Sequence, residues 1–507
     1  MSTRVGRLAA EPGREYWEHT FDDLVVAIGG RRSEFNNPDE PPKFKAYRGR
    51  PRFPLPVTAL RDGLDRGTPD AGHRPELTEE RLSELLHYTF GILSHEFGAQ
   101  GSWPLHRTVA SARCLFPTQL YLWLPDTGSI PAGCYHYDPA HHTLVGLRVG
   151  DHRDDLSSIL GLSVREASAV LVLSSRYWHN AYIYRDYTYR LCNQEAGLVA
   201  GNAQLVFGTQ GYHCPLRQEF LDAPLNRLFG LDPDEEPAVA VLPVYAEAPT
   251  PDGKRWSATT DHLLRSIPPI GPPLPANDRM SAACPRVTAV DQASRITSTA
   301  SIERHSTLEP PRWRGTGADL ARALRSRTSG PSVFDPIPGP IGADTIRRIA
   351  AHASGHRASI DVYLTIRAVS DLDPGIYKLD PAGRLDPVAP LPDLAELTGS
   401  CAPPFGSYPA ANISTTNVIV HLVGDRDRAL ARFGSRSYRV VHHRAGVVAQ
   451  HISLLAAVDS LAARITNSYD IERVRALLRL DRGELPIFQL LIGATRPPSR
   501  YTSRLTF

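Results

Sequence analysis

A chain of 507 residues with 42% apolar and 22% charged side chains has the ordinary composition of globular protein and the length for two or more cores. Its 56 basic and 54 acidic residues leave a net charge of +2 with no long run of either sign, which argues against a nucleic-acid groove or a patch for acidic membranes. Six scattered cysteines, none in a CxxC pair, fit free thiols of a reducing compartment, and neither a secretory h-region in Met1–Gly13 nor a stretch of ~20 apolar residues occurs, so a cytoplasmic protein is expected.

In chain order, the apolar spacing predicts a helix over Glu79–Ile92, a strand over Gln119–Leu124 and a strand ending in a turn at Gly133-Cys134-Tyr135-His136-Tyr137-Asp138-Pro139. A buried strand over Ala169–Leu173, a long helix through Ala196-Gly197, a short helix at Leu225 and a last strand from Pro237 complete a first α+β unit. Ala246–Arg312 follows. Its run Ile267-Pro268-Pro269-Ile270-Gly271-Pro272-Pro273-Leu274-Pro275 blocks helix and central strand, leaving a semi-extended connector or an ordered surface strap. The series then returns as a helix over Gly342–Ala353, strands over Asp361–Ile366 and Asn417–His421, a long helix through Ala445-Gly446, a short helix at Val474 and a last strand from Pro486.

The return is in register. Tyr189-Arg190 and Ala196-Gly197-Leu198-Val199-Ala200 meet Tyr438-Arg439 and Ala445-Gly446-Val447-Val448-Ala449 at an offset of 438 − 189 = 249 residues. Upstream, Gly133-Cys134-Tyr135-His136-Tyr137-Asp138-Pro139 meets Gly375-Ile376-Tyr377-Lys378-Leu379-Asp380-Pro381 at 375 − 133 = 242. A period this long denotes two similar domains and not a solenoid. The expected organisation is a domain over 1–245 with an N-terminal extension, a connector over 246–312 and a second domain over 313–507.

The segment His106-Arg107-Thr108-Val109-Ala110-Ser111-Ala112-Arg113-Cys114-Leu115-Phe116-Pro117 resembles the R-x-V-P-S-x-G-x-L-Y-P segment of SagB-type dehydrogenases. Ala110 stands in place of that family's proline, and Arg113 in place of a small residue. The GxYxxDP turn, the Tyr189-Arg190…Glu195-Ala196-Gly197 helix and the Leu225–Asp232 segment follow in the family's order, and the leader from Pro41 is similar too. The resemblance implies the nitroreductase fold, usually a dimer binding FMN at the subunit interface. Here it implies an α+β chain of two fused nitroreductase-like domains forming an intramolecular pseudo-dimer. It also implies oxidation of thiazoline or oxazoline rings to azoles in a ribosomally made peptide, beside a cyclodehydratase partner. Flavin oxidation of another peptide or small-molecule bond, or a non-catalytic scaffold for a cyclodehydratase, are the alternatives.

Under that resemblance each flavin draws on both domains. The second half offers Arg325, Arg327 and Ser329, with Arg496 after its last strand, for the phosphate; planar guanidinium forks suit a phosphate dianion. The first half, from Arg61-Asp62-Gly63 onward and past Val244-Tyr245, has no such cluster. Instead it offers Ser111 and Phe116-Pro117 for the isoalloxazine, where the second half has Ala353, Ala358 and Ser359, with Arg113 either reaching the pyrimidine edge or blocking the pocket. One FMN per chain is the expectation. The family's Lys-Tyr pair falls on Ile183 and Tyr184, and on Arg432 and Phe433 in the second half, so Tyr184 is the catalytic candidate. His141-His142 and His442-His443 are not spaced as metal ligands on one helix face, and no metal is expected. The absence of a GxGxxG βα unit or P-loop leaves a nicotinamide domain or nucleoside triphosphatase without support.

Overall fold

The computed structural model describes residues 11–28, 40–57, 64, 75–97, 105–249, 256–271, 279–302, 307–311, 313–331, 333–353, 360–402, 411–496 and 501–504. Arg61, Asp62, Gly63, Ala358 and Ser359, and with them part of the comparison between the halves, lie outside the described residues.

Among the described residues the strands form two six-stranded sheets and a three-stranded one. The first runs Arg52–Pro54, Thr143–Val149, Gly133–Asp138, Thr118–Leu124, Ala167–Ser175, Ala238–Tyr245. The second runs Leu385–Pro390, Gly375–Leu379, Ile360–Ile366, Val418–Asp425, Glu484–Gly493, Ala462–Thr466. Five strands correspond in the same order, and each sheet carries its extra strand on the opposite edge. All these ladders are antiparallel. Central strands such as Ala-Ser-Ala-Val-Leu-Val-Leu-Ser-Ser over 167–175 are apolar without alternation because both faces are covered. The GxYxxDP turn has one cause in both halves. Asp138 Oδ1 accepts from the Ala140 N–H at 3.1 Å and Asp380 Oδ1 from the Ala382 N–H at 2.7 Å, the local Asp-to-backbone bond that favours this residue in turns.

The two long helices, Thr188–Thr209 and Ser437–Val458, cross where the repeat places equivalent glycines. A Cβ on Gly197 would lie 2.3 Å from the His443 carbonyl oxygen, and one on Gly446 2.3 Å from that of Gln194. Residues 194 and 443 are themselves 249 apart, as are 197 and 446. The halves therefore meet through the same patch on each, the signature of a twofold interface held within one chain. The principal core runs without a break through both, from Leu171 and Val199 to Val447 and Leu490.

Two features depart from expectation, and a third decides between alternatives. The first helix stops at Phe90, because the chain turns at Gly91 into a strand, Ile92–Phe97, that the continuous apolar pattern had concealed. Tyr501–Arg504 pairs antiparallel with that strand, so the end of the second half is clasped to the first. Between the halves, helices Thr260–Ser266, Arg279–Ala283 and Pro285–Ala293 give the described part of the connector the ordered form of the two that were expected. The last begins with proline at a first-turn position, where the missing N–H costs nothing. Asp291 and Ser294 from this segment enter the interface, bonded to Arg439 and Arg436. No helix among the described residues is long and apolar enough to cross a membrane.

Candidate functional site

The helix Gly317–Ser326 starts with a capping box: the Thr316 hydroxyl accepts from the Asp319 N–H, and the Asp319 carboxylate accepts from the Thr316 N–H. It ends as Arg327 leaves helical geometry (φ −55°, ψ 126°) and turns toward the first half. There Arg327 Nε donates to the Thr108 carbonyl at 3.2 Å. Arg325, exposed, donates to the Tyr88 hydroxyl and lies 5.2 Å from that ring's centre. The following turn is fixed from behind by strand Ala462–Thr466. The Ala463 N–H donates to the Thr328 carbonyl at 3.0 Å, and Arg464 Nε to that of Ser329 at 3.0 Å. Gly330 (φ 74°) lets this turn pass close to Thr495, whose methyl would sit 3.4 Å from a Cβ there, so the exposed Arg496 stands beside the same turn.

Thr108 opens the Ser111 loop. Arg113, Cys114 and Phe116 all have φ near +50° without being glycine, a conformation that persists only when its surroundings over-determine it. The determinants are visible. Ser111 Oγ accepts from the Phe116 N–H at 2.9 Å and donates to Glu195 Oε2 at 2.5 Å, and the Thr118 N–H reaches Glu195 Oε1 at 3.3 Å. His179 Nδ1 lies 3.2 Å from the Leu115 carbonyl. Below the loop, the Arg107 guanidinium packs 4.4 Å from the Phe116 ring centre and 4.8 Å from that of Phe90.

The structure thus joins Arg325, Arg327, Ser329 and Arg496 along one second-half turn, and links that turn to the loop of Ser111 and Arg113. Tyr184, half-buried, ends the helix Trp178–Tyr184 whose start is tied to the loop through His179. Within that helix, burial pushes the Tyr182 phenol up to about 12, with the Glu40 charge adding to the rise and the Arg113 charge opposing it. Next to Tyr184, Arg185 adopts φ 49°, ψ −132°, and its equivalent Gly434 adopts φ 56°, ψ −139°. That backbone suits glycine, and the first half holds an arginine in it beside the candidate catalytic side chain.

The donors left over fit an anion. Arg107 and Arg327 each bury an Nη1 that has no hydrogen-bond partner among the described residues. Burial lowers both guanidinium groups to about 10. A buried charged donor left unmet costs more than the ~1–3 kcal/mol of a neutral one, so each of these nitrogens favours an acceptor of negative charge. Glu195, whose charge reaches Arg107, does not neutralise it fully: burial pushes this carboxyl up to about 7, against the pull of Ser111, Thr118 and Arg107. Cys114 offers no thiolate either, since burial raises it to about 11.

Glu195 carries a pH prediction. Between its unfolded value near 4.5 and about 7 the folded chain keeps a proton that the unfolded chain sheds, so stability falls as pH rises through that window. The total is about 3 kcal/mol. Glu195→Gln cannot ionise, and its urea midpoint is expected to fall less than that of the parent between pH 5 and pH 8. Equal falls would show that Glu195 ionises freely in the folded chain.

Sequence reading missed Arg464, Glu195, Arg107 and His179 as parts of this site. Glu195 and Arg107 stood inside quoted motifs and looked like fold-forming residues. Arg464 has no counterpart in the repeat, because 464 − 249 = 215 is Pro215, and nothing around it marks it.

No family model matches the chain. A curated protein of Methanocaldococcus jannaschii named "putative nitroreductase" is 28% identical over 138 residues, 27% of this chain. The match spans 65% of that relative's length, somewhat under two thirds. A crystal structure of a "putative nitroreductase" from Anabaena variabilis superposes with a TM-score of 0.74 at 19% identity, over 96% of this chain and 99% of the other. The fold is that of the nitroreductases. At 19% identity the likeness concerns architecture alone, and it runs from end to end of both chains. The chain covers roughly two nitroreductase-sized α+β domains packed as an intramolecular pseudo-dimer.

Proposed function

We propose that this chain is a tandem-duplicated FMN-dependent dehydrogenase of the SagB type, with one composite flavin site, acting on thiazoline or oxazoline rings of a ribosomally made peptide. The domains on this reading run 1–245 and 313–507 around a 246–312 connector. One observation carries it: the second-half Arg327, with a buried nitrogen unmet, is hydrogen-bonded at Thr108 to the first-half loop of Ser111. Arg325, Arg327 and Arg496, with Ser329, would hold the phosphate by charge-assisted hydrogen bonds, and the Ser111–Phe116 loop with Arg113 would meet the ring system. A bound flavin supplies the two-electron acceptor that no side chain here provides. Glu195 and Ser111 hold the loop in its left-handed turns. Tyr184 would be the group that moves the substrate proton, with the adjacent Arg185 charge helping it release or share that proton.

A second reading follows from Ile183, where the azoline-oxidising relatives have lysine: the flavin chemistry is retained but acts on another peptide or small-molecule bond. A cyclodehydratase partner and a cytoplasmic location belong to the first reading.

The purified protein is expected to be yellow, with about one flavin per chain, and Arg327→Ala is expected to lose the colour on gel filtration. Each charge-assisted bond contributes roughly 1.5–3 kcal/mol, or at least tenfold in affinity. Colourless protein that never takes up added FMN overturns the proposal. An azoline peptide that loses two hydrogens on incubation supports the first reading, and an unchanged azoline beside turnover of another substrate supports the second.

A further inference from the structure

A second cavity, of about 560 Å³, opens on the first half between the leader, the ends of strands Ala167–Ser175 and Ala238–Tyr245, and the connector. Its floor is Glu236. That carboxylate accepts from Lys45 at 2.6 Å, Tyr121 at 2.6 Å and Ser174 at 3.0 Å. Burial alone would raise it, but Lys45 and Tyr121 hold it down at about 2. The cations of the wall are committed as well. Lys45 is bonded to Glu236 and Tyr121, Arg176 donates to the Pro42 carbonyl at 3.5 Å, and Arg279 lies 5.1 Å from the Trp178 ring centre.

What the wall lacks is donors for two acceptors. His179 is 2% exposed, and its Nδ1 faces the Leu115 carbonyl, which can only accept. Nδ1 therefore carries the proton, and Nε2 is a bare acceptor with no partner among the described residues. Burial keeps the ring neutral, with its pKa down at about 3. Glu235 Oε1 is likewise buried and unmet among the described residues. Four carboxylates against three cations line the cavity, so its charge is also negative. Two unmet acceptors on residues that line one negatively charged cavity suit a ligand that brings N–H groups and positive charge.

We propose that this cavity binds a primary ammonium group, held by His179 Nε2 and Glu235 Oε1 beside the Trp178 indole. The indole face of Trp178 favours a cation, as its contact with Arg279 already demonstrates. Because His179 also holds the Leu115 carbonyl, the bound group lies one side chain away from the left-handed loop of the first site. Binding of the ammonium group there requires no flavin.

The test is calorimetric titration of the full chain with four small probes. Nα-acetyl-lysine amide presents a side-chain ammonium and norleucinamide an α-ammonium; Nα-acetyl-norleucine amide is the neutral control and Nα-acetyl-glutamate amide the acidic one. At least one amine is expected to bind saturably at one site, and which of the two does so identifies the source of the ammonium group. The controls are expected to give no saturable heat. Glu235→Gln keeps the shape, loses the charge, and is expected to weaken the amine about tenfold with an unaltered melting temperature. Failure of both amines, equal binding of either control, or unchanged affinity in Glu235→Gln overturns the proposal. None of these outcomes depends on the colour of the protein.

Discussion

Gly446→Ala is expected to destabilise the chain by about 3 kcal/mol or more, even though alanine is the better helix former by roughly 0.8–1.0 kcal/mol. The added carbon would stand 2.3 Å from the Gln194 carbonyl oxygen and 2.8 Å from the Gly197 Cα. Both are backbone, so no side chain can rotate away, and relief requires the long helices to move apart. That separation strips contact from a core continuous across both halves, which is why the steric term outweighs helix propensity. Gly208, near the end of the first long helix, is the internal control: nothing lies within 4 Å of a Cβ there. Gly208→Ala is expected to be neutral or stabilising by up to about 1 kcal/mol. Urea denaturation of both variants separates the cases. A Gly446→Ala midpoint equal to the parent's would mean that the helices do not meet at these glycines.

That contact shows how far the sequence could be read. The 249-residue offset pairs Gly197 with Gly446 before any coordinates, and the same register places helices and central strands, because local apolar periodicity and turn chemistry generate both. The Ser111 loop and the Arg325–Ser329 turn were legible for the same reason, as strings of neighbouring residues. What stayed hidden is non-local. The pairing of Tyr501–Arg504 with Ile92–Phe97 joins segments some 400 residues apart and leaves no pattern in either. The helical connector was obscured by proline density in only part of its length. Arg464 and His179 enter the site by folding back from a strand and a helix whose patterns report core packing alone.

Asp222→Ala tests another contact between the halves, and a loss of about 3–5 kcal/mol is expected. Asp222 lies on a first-half helix, Asp222–Phe229, and receives Arg436 Nη1 at 2.8 and 3.0 Å and Arg439 Nη1 at 3.1 Å, both from the second half. It also accepts the Ile296 N–H at 2.8 Å from the connector. Both arginines are fully buried, so removing the carboxylate leaves them without bulk water to replace it. The two should not suffer alike. Arg439 keeps Asp291 at 2.8 Å, whereas among the described residues Arg436 keeps the neutral Gln218 and Ser294 carbonyls. Restoring neutrality by Asp222→Ala with Arg436→Met is therefore expected to recover a large part of the loss, because an uncompensated buried charge costs more than the absent pair contributed. Urea midpoints of the single and double variants measure this directly. If the double variant is as unstable as the single, the cluster acts through its hydrogen bonds to Ile296 and the connector, and charge balance at Arg436 is not what it supplies.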